Sequence, residues 1–70
     1  MTDKDRKYYI THIALAIDNL ASMELPKFHT IQWYAQAILN LAEKSDYWIA
    51  NNQKQFDAIL DEAKEINNRK

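Results

Sequence analysis

Apolar side chains recur at helical spacing from the first third of this 70-residue chain onward. In the opening segment they recur every three or four residues, at Ile10, Ile13, Ile17 and Leu20, with Ala14 and Ala21 between them. This spacing predicts an amphipathic helix with one apolar face. Thr2 followed by Asp5 resembles a capping box, so we expect the first helix to begin near residue 3.

The single proline provides the clearest interruption of this pattern. Pro26 biases Leu25 away from helical backbone angles, so residues 23–29 are expected to form a loop. Thr30 follows at a position suited to an N-cap. The chain contains no glycine and therefore has little material for tight hairpin turns, which require positive φ. The sequence predicts an all-α fold.

A second apolar set continues beyond the loop at a step close to 3.6 residues. It comprises Ile31, Ala35, Ile38, Ala42, Ile49, Phe56, Leu60 and Ala63. The helical periodicity of this set continues without interruption, so it does not by itself predict a break in the helix. Any break must therefore come from residues that favour a helix end. Asn51 and Asn52 are the better candidates because Asn tolerates a left-handed cap. Ser45 is the weaker one, since Trp48 occupies the position where a capping box has Glu or Gln.

Two architectures follow. In the preferred one, helices near 3–22, 30–50 and 52–67 form a small antiparallel three-helix bundle. In the alternative, residues 30–67 form one long helix, and the first helix covers about half of it. That helical hairpin needs a second copy to bury its remaining apolar surface, so it predicts a homodimer.

Composition narrows the class of protein. The hydrophobic fraction of 47% supports a globular core, and the length predicts a single helical domain over residues 1–70. The formal net charge of −1 provides no field that would attract nucleic acid or a membrane. No apolar run approaches the length of a membrane span, and the polar opening is unlike a secretion signal, so we expect a cytoplasmic protein. The excess of Lys over Arg, with frequent Ile and Asn, suggests an AT-rich gene such as those of phages.

The sequence contains no motif typical of a catalytic or cofactor-binding site. Without glycine there is no phosphate-binding loop, and without cysteine there is no thiol nucleophile. Ser22 and Ser45 lack the surroundings of a nucleophile, and two isolated histidines, His12 and His29, give no metal or triad spacing. We therefore expect no enzyme, no cofactor and no metal site.

A small DNA-associated regulator of helix-turn-helix type is the alternative function. Asp57, Asp61 and Glu65 make the outer face of the last helix acidic, which opposes contact with phosphates. The middle helix offers Gln32, Gln36 and Asn40 outward but no Arg. Nucleic-acid binding is therefore the weaker hypothesis.

The aromatic residues provide the stronger functional signal. Each of three adjacent pairs, Tyr8–Tyr9, Trp33–Tyr34 and Tyr47–Trp48, can direct only one ring squarely into the core, because helical neighbours point about 100° apart. The apolar stripes favour Tyr9 and Tyr34 inside and place Trp48 at the border. Five large side chains are then left outside the core: Tyr8, Leu15, Trp33, Leu39 and Tyr47.

Trp and Tyr dominate the binding energy of protein interfaces. Along one continuous helix, Trp33 and Tyr47 would lie about 21 Å apart on nearly the same side. The sequence therefore predicts a non-enzymatic interaction or regulatory protein that binds a protein partner through these five residues. The short chain and its surplus apolar residues also predict a homo-oligomer, most simply a homodimer.

Overall fold

The computed structural model describes residues 1–69 and contains three long helices and one short one. They are α1 (Asp3–Ala21), α2 (Phe28–Glu43), α3 (Asp46–Asn51) and α4 (Gln53–Asn68). Helix α1 packs against both α2 and α4. Arg6 near the start of α1 contacts Leu41 near the end of α2, so these helices are antiparallel. The predicted all-α fold with a helical bundle is confirmed.

The start of α1 follows the prediction. The Asp5 main-chain N–H donates to the Thr2 hydroxyl at 3.1 Å, and the Thr2 N–H donates to the Asp5 carboxylate at 3.2 Å. This is a complete capping box, which satisfies two of the main-chain donors that a helix start leaves free. The helix therefore begins at Asp3.

Helix α2 begins earlier than the sequence indicated. Its first residue is Phe28 and its N-cap is Lys27, which makes no side-chain hydrogen bond to the helix. The first turn closes when the Ile31 N–H donates to the Lys27 carbonyl at 3.0 Å. The prediction of Thr30 as N-cap was wrong, because the restriction that Pro26 imposes falls on the residue before it and leaves residue 28 free to be helical.

The predicted helix over 30–50 is interrupted, and a continuous helix over 30–67 does not form. The chain is extended at Lys44, with ψ at 155°. The Ser45 hydroxyl then caps α3 by accepting from the Trp48 N–H at 3.2 Å. Ser45, ranked below the asparagines from the sequence, therefore marks the wider break, because its hydroxyl satisfies a donor at the new helix start without needing Glu at the box position.

The break at Asn52 is smaller and has a different geometry from the one expected. Asn52 has φ of −116°, and no residue within 1–69 has positive φ. Its side-chain amide donates to the Trp48 carbonyl at 2.8 Å, which satisfies an acceptor at the end of α3. The expectation of a left-handed cap was wrong, since the side chain closes the helix end while the backbone stays in an ordinary region.

The core lies where α1, α2 and α4 meet, with α3 covering one end. Its buried members are Ile13, Ala16, Leu20, Tyr34, Ala37, Leu41, Ile49, Phe56, Ile59, Leu60 and Ala63. Tyr34 and Leu41 lie inside, whereas Ala35 and Ala42, expected in the core stripe, are exposed. The helix is rotated by one residue relative to the prediction because burying a Tyr and a Leu removes far more apolar area from water than burying two Ala. Ala14 and Ala21 of α1 are likewise exposed.

Candidate functional site

All five side chains predicted outside the core are exposed. The exposed fractions are 45% for Tyr8, 44% for Leu15, 54% for Trp33, 50% for Leu39 and 79% for Tyr47. Their partners within the aromatic pairs behave as the pattern indicated, since Tyr34 is buried and Tyr9 and Trp48 are half-buried. Whether the exposed five bind a partner stays a prediction.

These side chains do not form one patch. Trp33 and Leu39 are six residues apart on α2, which places them about 120° apart around the helix. Tyr8 lies beside α4, where the Lys64 ammonium is 5.0 Å from its ring centroid. Leu15 is one heptad further along the same strip of α1. The predicted alignment of Trp33 with Tyr47 along one helix was wrong, because the chain breaks between α2 and α3.

Trp33 forms one wall of a groove between α2 and α4. The groove has a volume of about 70 Å³ and is lined by Trp33, Gln36, Ala37, Asn40, Trp48, Gln55, Phe56 and Ile59. Buried Ala37, Phe56 and Ile59 form its floor. None of the lining side chains carries a charge. The groove therefore has an apolar floor with amide groups around it.

Trp48 belongs to this groove, although the sequence placed it only at the border of the core. Its ring packs edge-on against Phe56, with centroids 6.2 Å apart and planes inclined by 61°. The Lys44 ammonium lies 5.3 Å from the Trp48 ring centroid. Such aromatic and cation–π contacts hold the ring in position. The sequence signal that could have placed Trp48 is Ser45, because its cap starts the short helix that carries this ring.

A larger and more polar cavity of about 560 Å³ lies at the other end of the bundle. It is lined by Asp18, Asn19, Leu20, Ser22, Met23, Lys27, Thr30, Glu62, Ile66 and Arg69. Acidic and basic side chains both line this cavity. No sequence pattern predicted it, because it is assembled from the ends of three helices. Deep to it, the Tyr34 hydroxyl donates to the Glu62 carboxylate. Burial, then that bond to Glu62, raises the pKa of Tyr34, so the hydroxyl stays protonated.

Two further titratable side chains of α1, Tyr9 and His12, also contact neighbouring side chains. The Tyr9 hydroxyl donates to the Asp57 carboxylate at 2.5 Å, and Gln53 donates to the same carboxylate at 2.9 Å. The bond to Asp57 is the main cause that raises the pKa of Tyr9 to about 12. His12 packs edge-on against the Tyr8 ring at 4.5 Å between centroids. The bond between Tyr9 and Asp57 ties α1 to α4 and stabilises the bundle.

Residues 1–69 contain neither a cluster suited to a metal ion nor a helix suited to crossing a membrane. No three His, Asp or Glu side chains come together in an arrangement that could hold a metal ion. None of the described helices combines the length and apolar character that crossing a bilayer requires. Asp57, Asp61 and Glu65 are exposed on α4, as the sequence indicated.

The fold and the groove together define a small helical protein with an uncharged, aromatic-walled surface site. The chain matches no protein-family model, and comparison with curated proteins and with solved structures finds no match. Its function is therefore inferred from the residues and their geometry.

Proposed function

We propose that this protein is a non-enzymatic interaction module that binds another protein through the groove between α2 and α4, with Trp33 as the anchor. The observation that carries the proposal is the composition of α2. Glu43 is the one charged residue among its 16, whereas 27% of the whole chain is charged. A helix on the surface of a monomer normally directs charged side chains into water. This helix instead exposes Trp33 and Leu39.

The groove fits one part of a protein partner. Its volume of about 70 Å³ suits a single medium-sized apolar side chain. The side-chain amides of Gln36, Asn40 and Gln55 surround the groove and can both donate and accept hydrogen bonds. They can therefore pair with the main chain of a partner that inserts a side chain into the groove. We therefore expect the partner to insert one aliphatic side chain between Trp33 and Trp48. Tyr47 lies on the short helix that carries Trp48 and would extend the contact.

Tyr8, Leu15 and Leu39 lie away from the groove, and we assign them a weaker role in partner binding. Interfaces concentrate their binding energy in a few central residues, and the surrounding contacts add little. Leu39 is separated from Trp33 by about 120° around α2, so one small partner would not cover both. Substitution of these three residues should affect the groove complex less than substitution of Trp33.

The experiment is quantitative affinity capture from the source cells, with wild-type protein and the Trp33→Ala variant as baits. Gln32→Ala provides a matched control, because it also truncates an exposed residue of α2, one position before Trp33. A protein captured by wild type and by Gln32→Ala but lost with Trp33→Ala supports the groove. The affinity of that protein, once purified, should fall by about 2 kcal/mol or more with Trp33→Ala. Equal capture by all three baits would contradict the proposal.

A DNA-associated regulator is the alternative and has less support. A reading helix needs Arg, Lys, Asn or Gln directed at base edges and a basic surface to hold phosphates. The exposed carboxylates of α4 oppose this, and α2 has no Lys or Arg. Titration of labelled duplex DNA of random sequence at low salt separates the two functions, since even non-specific binders respond to it.

A further inference from the structure

A twelve-residue pattern occurs twice in the chain, once in α1 and once in α2. Residues 10–21 read ITHIALAIDNLA and residues 31–42 read IQWYAQAILNLA. Ile, Ala, Ala, Ile, Asn, Leu and Ala recur at equivalent positions. Burial follows the same repeat, since Ala16 and Leu20 are buried, as are Ala37 and Leu41. Two antiparallel helices with one shared pattern are related by an approximate two-fold axis.

The repeat leaves an apolar face on the outside of the α1–α2 pair. This isoleucine–alanine face comprises half-buried Ile10, Ile17, Ile31 and Ile38 with exposed Ala14, Ala21, Ala35 and Ala42. It lies opposite α4. Tyr9 and Asn19 bond to α4, and Ala14 points about 140° away from each of them around α1. On α2, Ala35 points about 160° away from Trp33, which faces the groove.

We infer that a second copy of this chain covers the isoleucine–alanine face, so that two α1–α2 pairs form a four-helix dimer. A two-fold interface uses the same patch on both copies, which must therefore complement itself. A face built from two antiparallel helices with the same apolar pattern meets this requirement. Its alanines allow the facing helices to approach closely. The exposed Leu39 and Phe28 lie beside them on α2 and add large apolar side chains to the contact.

The area of the face is that of a small protein interface. Helix α2 has 16 residues and is about 24 Å long, and two packed helices about 9 Å apart are about 19 Å wide. The projected area of one face is therefore roughly 450 Å². Two faces give a projected area of about 900 Å², and the relief of the side chains adds to it. Standard specific interfaces begin near 1,200 Å², so this area matches a small interface and a dimer that dissociates on dilution.

Charge selects one of the two possible two-fold arrangements. If the axis runs along the helices, α1 of one copy lies antiparallel over α2 of the other. Lys7 near the start of α1 and Glu43 at the end of α2 are both exposed at the same end of the bundle. In this arrangement Lys7 of each copy approaches Glu43 of the other. If the axis runs across the helices, α1 lies over α1 and these two residues stay apart.

The first experiment measures the oligomeric state of the full chain by sedimentation equilibrium. Wild type should be dimeric at micromolar concentration, and Ala35→Glu should shift it to monomer, because it places an unpaired carboxylate in an apolar contact. Ala58→Glu is the matched control, since Ala58 is an exposed alanine of α4, away from the face. It should remain dimeric. Monomeric wild type up to millimolar concentration, or a dimer retained in Ala35→Glu, would overturn the inference.

The second experiment exchanges the charges at the rim. Lys7→Glu and Glu43→Lys should each weaken dimerisation about three- to tenfold, and the double variant should restore it. Failure of the double variant to restore the dimer would overturn the α1-over-α2 arrangement. Circular dichroism of every variant establishes that the fold is kept. This inference is independent of the groove, so Trp33→Ala should leave the dimer unchanged.

Discussion

The Arg6 guanidinium of α1 donates to the Leu41 main-chain carbonyl of α2 across 2.8 Å. It also donates to the Lys44 carbonyl at 2.7 Å and to the Asp46 carboxylate at 2.6 Å. One side chain therefore satisfies free acceptors at the end of α2 and joins them to the start of α3. The guanidinium next to Asp46 lowers the pKa of that carboxyl. Arg6 fixes the break between α2 and α3 that shapes the groove.

We expect Arg6→Lys to destabilise the protein by about 2 kcal/mol. A Lys ammonium is a single point of charge and cannot reach two carbonyls and a carboxylate with the geometry of a guanidinium. Chemical denaturation monitored by circular dichroism gives the free energy of unfolding. Lys4→Ala, a substitution at an exposed position of the same helix, should change it by less than about 0.5 kcal/mol. Equal stability of Arg6→Lys and wild type would contradict the role of the guanidinium.

Two leucines of α2 provide a direct test of its rotation. Leu41 is 0% exposed and Leu39 is 50% exposed. Leu41→Ala should cost about 3 kcal/mol or more, enough to threaten the fold of a domain this small. Leu39→Ala should cost less than about 1 kcal/mol when both proteins are compared at concentrations where they are monomeric. Similar losses for the two variants would show that the helix buries a different face.

Ile38 lies between these cases, since it is half-buried. The helical spacing of the apolar residues predicts Ile38 in the core stripe. With part of this position open to water, a carboxylate there can be hydrated, so Ile38→Asp should destabilise the monomer by about 1–3 kcal/mol rather than unfold it fully. Thermal melting by circular dichroism measures this. A complete loss of helix at neutral pH would instead show that Ile38 belongs to the buried core.

Tyr9 should contribute to a loss of stability in alkali. Its pKa is raised from 10.0 to about 12 in the folded protein. A raised pKa in the folded state contributes stability that is fully present below pH 10 and is lost as the pH rises towards 12. Tyr9→Phe should reduce stability by about 1 kcal/mol at pH 7 and flatten this part of the pH dependence. Denaturation curves between pH 7 and 12 measure both effects. An unchanged slope in Tyr9→Phe would exclude Tyr9 as the cause.

Trp33→Ala combined with Tyr47→Ala separates folding from binding. Tyr47 is 79% exposed, and Trp33 is 54% exposed, so we expect the pair to cost about 1 kcal/mol of stability in total. The same pair should weaken a complex at the groove by about 2 kcal/mol or more. Differential scanning calorimetry and titration calorimetry measure the two quantities. A collapsed melting temperature would mean that these rings act as core, and the interface hypothesis would fail.

The sequence by itself determined the helical class, the start of α1 and the side of each aromatic pair that faces water. These features depend on local chemistry: the capping box of Thr2 and Asp5, the absence of glycine, and the 100° step between neighbouring residues. The tertiary structure decided the rotation of α2, because Tyr34 and Leu41 bury more area against α1 and α4 than the alanines beside them. It also decided the break at Ser45, where Arg6, far away in the chain, bonds to the carbonyls that the helix end leaves free.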